Sequence, residues 1–234
     1  MDTKLKLIAG LLIKNEANRY LRECLDDLTQ YVDGFVILDN GSTDDSIEIC
    51  SSYKKCLEVK TDSTDFKVNE LYLRKLLFEL ICKYNPEWIL MIDADEVFES
   101  KFKTEVKKIM AATDFFWFSF IHLHFWGDKI HYRIDKLWKP HNSAIRLCRY
   151  APDFSYNWGI TPFACGSLPF NIFYQPGKRT DIVVKHYGYA NPDDIKKKYE
   201  FYKEQDPLGR YHAKEHLESI GDKVVSLVQW NDCN

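Results

Sequence analysis

The sequence predicts an α/β protein: a mixed, mainly parallel sheet flanked by helices, with a helical tail at the C-terminal end. Two observations predict it. Apolar runs of strand length alternate with helix-spaced segments through residues 4–93, the signature of a sheet covered on both faces. Three of those runs end in polar clusters, at Asn15-Glu16, at 39–44 and at 93–96. In such sheets ligands bind beyond the carboxyl ends of the strands, so clusters coinciding on one rim say more than any one of them.

Each element has its own local reason. "KLKLIAGLLI", residues 4–13, reads as a buried strand closed by Lys14-Asn15-Glu16. "NRYLRECLDDLTQYV" follows, with Tyr20, Leu21, Cys24, Leu25, Leu28 and Val32 at helical spacing. Asp33-Gly34 ends that helix, and "FVILD" is a second strand. "NGSTDDS" is a turn, with Gly41 permitting a tight bend and Ser42 or Thr43 placed to cap the helix 44–54. "CLEVK" is a third strand, 68–85 an amphipathic helix closed by Pro86, and "EWILMID" a fourth strand. Beyond residue 100 come a helix at 103–112, a long aromatic strand at 114–126 and strands at 143–150 and 181–189. A charged helix at 192–206 has Pro192 at its start. Between 151 and 180, Pro and Gly recur among aromatics, as expected of loops that cover a site.

Composition narrows the class. The 234 residues are 45% hydrophobic and 29% charged, as in ordinary globular proteins. Fifteen percent are aromatic, enough for a large core and for platforms around a ligand. A net charge of -3 gives no basic field for nucleic acid. The seven cysteines, Cys24, Cys50, Cys56, Cys82, Cys148, Cys165 and Cys233, form no CxxC pair. Their odd number argues for reduced thiols in a cytoplasmic protein rather than a disulfide framework. No signal peptide or transmembrane run is expected, so any work at a membrane goes through a partner or a surface contact.

The acidic cluster in "ILMIDADEVFES", residues 89–100, demands an explanation. Carboxylates gathered at the end of a buried strand suffer repulsion and desolvation. Alternation along an extended chain would put Asp93 and Asp95 on one side, where a hard divalent cation, Mn²⁺ or Mg²⁺, would offset the cost. The bland alternative is helix capping and solvation. Glu96 and Glu99 are expected as first-turn helix acids. In "LDNGSTDDS", Asp39 ends a strand, where a carboxylate accepts hydrogen bonds from a ribose or base; the alternative is an ordinary capped turn.

Together, "LIKNEANRYLRECLDDLTQYVDGFVILDNGSTDDSIEIC" and "EWILMIDADEVFE" resemble the family 2 glycosyltransferases of the GT-A fold. The similar stretch covers about the first hundred residues. "HYGY", residues 186–189, with a lysine-rich helix after it, looks like the C-terminal part of many soluble bacterial members. The resemblance implies a nucleotide-binding half at 1–100, an acceptor-binding half at 101–190 and a helical tail at 191–234. It implies nucleotide contacts from Asn15, Glu16, Asp39, Arg74 and Asp93, with Lys75 the solvent-facing neighbour of Arg74. It implies Asp95 as the direct metal ligand and His186 as a further one, against the ordinary structural role of a lone histidine.

The chemistry implied is metal-dependent, inverting transfer from a nucleotide-sugar donor, most commonly UDP-linked, to a saccharide or lipid-linked acceptor. The general base such transfer needs is expected at Asp153, with Asp128 and Asp135 as rivals. His122 and His124 share a strand face, as would half of a zinc site. Nothing at ligand spacing completes it, so they read as hydrogen-bonded residues of an aromatic wall. Trp126, Trp138 and Trp158 read as core. Two rivals stand beside this reading. A nucleotidyltransferase also pairs such a sheet with carboxylate-bound Mg²⁺, but usually has a glycine-rich first loop, and "KNEANRY" has no glycine. A non-catalytic nucleotide- or sugar-binding protein is the other.

Overall fold

The computed structural model describes residues 6–232, so Cys233 and the first two residues of the expected strand 4–13 lie outside the described residues. Strand β1 (Leu7–Ile13) is flanked by β2 (Gly34–Asp39) and β4 (Trp88–Met91), and β3 (Cys56–Thr61) adds outside β2, all parallel. β1, β2 and β4 are buried almost throughout, which explains their continuous apolar sequence. Helix α1 (Leu21–Leu28) buries Leu21, Cys24, Leu25 and Leu28, the i, i+3, i+4, i+7 stripe of a helix on a sheet. Helix α2 (Ser46–Ser51) and helix α3 (Phe66–Cys82) follow β2 and β3. A non-helical Asn69 kinks α3 near its start.

The second half extends the same sheet with changes of direction. β8 (His141–Arg149) pairs antiparallel with β4, and β6 (Trp117–Trp126) pairs antiparallel with β8. β6 therefore runs parallel to β4 and ends on the same rim. β9 (Gly177–Tyr189) lies parallel to β6 and brings His186 opposite His124. β5 (Glu96–Phe98) pairs antiparallel with β9, and helix α4 (Ser100–Ala111) follows it. The tail contains helices α5 (Pro192–Gln205) and α6 (Lys214–Ser219). It then ends in strand β10 (Leu227–Gln229), paired with β7 (His131–Arg133), so the tail expected as helical contributes a strand as well. Among the described residues, no helix is long and apolar enough to cross a membrane.

Glu96 corrects one sequence expectation. It is not a first-turn helix acid but the first residue of β5, fully buried opposite His186. The dipole argument failed because the segment pairs with β9, a strand about ninety residues away. Glu99 stands at the N-cap of α4, but its carboxylate accepts the Val183 N–H at 2.7 Å, tying α4 to β9 rather than capping the helix.

Candidate active site

The first wall is made by two turns that lock each other. At the end of β1, Asn15 takes φ +55° and its Oδ1 accepts the Thr43 N–H at 2.8 Å. The Asn15 and Glu16 N–H groups donate to Ser42 Oγ and Ser46 Oγ, and Asp44 accepts the Ala17 N–H. Asp39 is fully buried and accepts the Gly41 and Ser42 N–H groups at 3.0 Å, with Gly41 at φ +75°. Ser42 and Thr43 thus hold turns together rather than capping α2, whose N-cap is Asp45. Asn15 and Asp39, both expected as nucleotide contacts, are not among the residues that line the cavity described below. The Asp39 carboxylate and Asn15 Oδ1 are engaged by turn N–H groups.

Asn40, which sequence reasoning passed over, does line that cavity. Its Nδ2 donates to the carbonyls of Asp62 and Thr64 at 2.8 and 2.7 Å. Two carbonyl partners fix which way the amide faces. Oδ1 is left buried with no hydrogen-bond partner among the described residues. Its only sequence signal was adjacency to Asp39.

Asp93 and Asp95 follow β4 in a turn, not in extended chain, so they meet different partners; both line the cavity. Arg74 Nη1 donates to Asp93 Oδ1 at 2.9 Å, and Arg146 Nη2 lies 3.4 Å from Oδ2. Arg74 also holds Glu70 one helical turn earlier and lines the cavity, whereas Lys75 is solvent-facing and paired with Glu79. Burial works against the Arg74 charge, but Asp93 and Glu70 outweigh it and hold the guanidinium firmly protonated. Arg146 reaches on to Glu96, which also meets His122 at 3.1 Å. Burial would raise the Glu96 carboxyl, yet Arg146 and His122 hold it well below the usual carboxylate range.

Asp95 Oδ2 lies 3.4 Å from Lys198 Nζ, 3.5 Å from His186 Nε2 and 3.9 Å from Arg19 Nη2. Burial raises its pKa, but Lys198, His186 and Arg19 together hold it well below the ordinary range. The Tyr187 N–H donates to the Asp95 carbonyl at 2.7 Å, fastening β9 to the acidic turn. Glu16 binds Arg19 at 2.7 Å and lines the cavity; burial outweighs Arg19 and pushes its carboxyl up to about 7.

His122, His124 and His186 have ligand atoms within 4.8 Å of one another. The third histidine that sequence spacing lacked comes from β9. His124 Nδ1 and His186 Nδ1 are 2.9 Å apart. Burial, then His122 and His186, keep His124 well below its ordinary value, hence neutral. In the tautomer in which His186 Nδ1 donates to the neutral His124, His186 Nε2 carries its lone pair and can ligate a cation; in the other, Nε2–H donates to Asp95.

These residues fit a divalent cation. A carboxylate oxygen and an imidazole nitrogen 3.5 Å apart suit Mn²⁺ or Mg²⁺. The chain leaves room beside them at Gly188, where a Cβ would fall 2.6 Å from His186 Nε2 and 2.7 Å from Asp95 Oδ2.

The cavity encloses about 680 Å³ beyond the carboxyl ends of β1, β2 and β4, with α5 and α6 as its roof through Lys198, Phe201, Tyr202 and His216. Its carboxylates are Glu16, Asp65, Asp93 and Asp95. Asp153 is not among them, which corrects the expected general base. β8 runs antiparallel to β4, pairing Arg149 with Trp88, so the chain after β8 emerges at the opposite rim. There Tyr150 bonds the Glu87 carbonyl. Asp128 and Asp135 hold other structure: Asp128 accepts from Ile130 and His131, and Asp135 from Arg133 and Ser226. Trp126 and Trp138 are buried, packing around the Arg133 guanidinium, and Trp158 packs on Phe78.

Comparison with known proteins agrees with this architecture. The family model described as glycosyl transferase family 2 matches residues 11–159. The SPbeta prophage-derived glycosyltransferase SunS of Bacillus subtilis is 27% identical over 110 residues, 47% of this chain and 25% of SunS. The match therefore spans about a quarter of that relative's length. Among solved structures, S. aureus TarS 1-349 superposes with a TM-score of 0.52 at 15% identity, covering 92% of this chain and 69% of that one. The inositol-1-phosphate CTP transferase from T. maritima superposes with a TM-score of 0.52 at 13% identity, covering 91% and 100%. At these identities the superpositions establish the fold, and the family match covers well over half of the chain: the protein belongs to glycosyl transferase family 2, on the GT-A fold.

Proposed function

We propose that the chain transfers a sugar, most simply a hexose, from a UDP-linked donor to a saccharide or lipid-linked acceptor, with inversion and with a divalent cation. One observation carries the reading: Asp93, Asp95, His186 and Arg74 converge on a single cavity at the carboxyl rim.

The division of labour follows from the contacts. Arg74 and Arg146 fix Asp93 beside the donor, as guanidinium forks that stay charged at any working pH. Asp95 and His186 would hold the cation. When bound, Mn²⁺ or Mg²⁺ supplies Lewis-acid stabilisation of the charge that develops on the leaving diphosphate. Lys14, Arg19, Lys67 and Lys198 line the same cavity and draw in an anionic donor. The six described cysteines are free thiols, compatible with work in the cytoplasm or on the inner membrane face.

A nucleotidyltransferase remains the second reading, favoured by the superposition on the T. maritima CTP transferase. Against it, the first loop carries Asn15 at φ +55° and no glycine. A thermal-shift panel of UDP, GDP, CDP and dTDP, each with and without Mn²⁺, separates the readings when a CTP arm assayed for pyrophosphate release is added. Stabilisation by one diphosphate that requires Mn²⁺ supports glycosyl transfer and names the base. Indifference to all four removes the donor-site claim.

A further inference from the structure

Lys198 Nζ stands 3.4 Å from Asp95 Oδ2 and 3.5 Å from His186 Nε2, and those two atoms are 3.5 Å from each other. The three form a nearly equilateral triangle. Asp95 Oδ2 and His186 Nε2 are the pair assigned above to a divalent cation. We propose that Lys198 is a tethered competitor for that cation: its ammonium bridges Asp95 and His186 in the cation-free protein and leaves the bridge when a cation enters. The proposal rests on the cation reading of the site.

The geometry excludes joint occupancy. Both positive centres need the same carboxylate oxygen and the same imidazole lone pair, and an ammonium in contact with both stands where the ion must stand. The site is also shaped to admit the lysine. A Cβ at position 188 would lie 2.0 Å from Lys198 Nζ, so the glycine there opens the path for the ammonium. The Tyr189 ring supports it from the side, 4.7 Å away. Its α5 tether keeps the ammonium at high effective concentration.

Other nearby cations are already engaged. Arg19 lies farther from Asp95, at 3.9 Å, and is bound to Glu16 at 2.7 Å and Asp194 at 3.3 Å. Lys197 points to Asp194 and is largely solvated. Lys198 is therefore the cation whose departure frees the pair. The apparent affinity for the ion is the intrinsic affinity multiplied by the fraction of molecules with Lys198 off the bridge. The site thus sets its own threshold for loading, and does so through a residue on the cavity roof.

Mn²⁺ uptake by the purified chain, read by electron paramagnetic resonance of the free ion, tests this without any activity measurement. Lys198→Met keeps the stem that packs on Tyr189 and removes the charge. It is expected to bind Mn²⁺ about tenfold tighter than wild type if the bridge is about nine-tenths populated. Lys198→Gln should act in the same direction and guards against a folding defect in the first variant. The gain must vanish in the double variant Lys198→Met, Asp95→Asn; if it persists, the ion sits elsewhere and the proposal falls. Equal or weaker Mn²⁺ binding in both single variants also overturns it. Should neither wild type nor variants take up Mn²⁺, while UDP stabilises wild type but not the variants, Lys198 is the resident cation: competition is refuted and the donor pocket stands. Loss of both Mn²⁺ and UDP binding throughout instead refutes the donor-site reading itself.

Discussion

Asp93 and Asp95 stand two residues apart on one turn, and the molecule holds them by different chemistry. Asp93 faces guanidinium groups from α3 and β8, and Arg146 continues to the buried Glu96. Asp95 faces an ammonium from α5 and an imidazole from β9. Arginine presents a rigid, permanently charged fork, while lysine and histidine carry groups that move or change partners. The Asp93 side is thus part of the scaffold, and the Asp95 side is built for exchange. In this fold, closeness in sequence does not make two carboxylates equivalent.

The largest expected effect breaks the scaffold side. Arg146→Met leaves Glu96 fully buried with only His122 and the Asp93 N–H beside it, and should lower stability by about 3–5 kcal/mol in urea unfolding. Arg146→Lys should recover only part of this, because an ammonium cannot span both acids as a fork. A loss below about 1 kcal/mol would mean that the Asp93 side is no more structural than the Asp95 side.

Next is the exchange side. Asp95→Asn should reduce transfer about a hundredfold or more, several kcal/mol of transition-state stabilisation, and abolish the Mn²⁺-dependent part of donor binding. Its folded state should persist, since the remaining polar groups can meet an amide. Transfer at the wild-type rate would move the metal assignment off Asp95.

The smallest effect is in the pH dependence of stability, where buried histidines and raised carboxyls oppose each other. Burial keeps His124 well below its ordinary 6.5, so below that pH the unfolded chain binds the extra proton and stability falls as pH drops. Burial pushes Glu16 from 4.5 up to about 7, so between those values the folded chain binds more protons and stability falls as pH rises. Burial also lowers His122 and His216, which act with His124, and raises Glu99, which acts with Glu16, so the wild-type slope is the difference between the two sets. Glu16→Gln removes one opposing group, so between about pH 4.5 and 7 its stability should climb more steeply with pH than wild type, by at most about 1.4 kcal/mol per unit for one proton. Unfolding in urea at pH 5 and 7 reads the difference; an unchanged profile in Glu16→Gln would show that Glu16 is solvated. Below that window Asp95 and Glu96, both held low in the fold, add a further loss as pH falls beneath the ordinary carboxylate range.

The same contrast marks what was legible in the chain. The strands 35–39 and 87–93 could be read because a buried parallel strand is a local property: an apolar run between turn signals. Asp93 and Asp95 could be read because their spacing and their place after such a run are local too. Arg146 carried no signal, since its meaning comes from Asp93 and Glu96, about fifty residues earlier. Lys198 stood among three consecutive lysines that read as a solvated helix face. The histidine pair of β6 read as incomplete because its third member lies about sixty residues on, in β9.

By itself, then, the sequence determined the layered α/β plan, the polar rim at the strand ends, the acidic turn and the family, all written in short-range periodicity and residue order. Tertiary structure alone decided which polar groups face the cavity. The antiparallel pairing of β8 sent Asp153 to the far rim and carried Arg146 to the acidic turn. The pairing of β9 with both β5 and β6 buried Glu96 and gathered the histidines. The physical reason is that a strand's direction and neighbours are settled by contacts between distant segments, each satisfying the other's backbone and burying the other's apolar face, and no window of local sequence contains both partners.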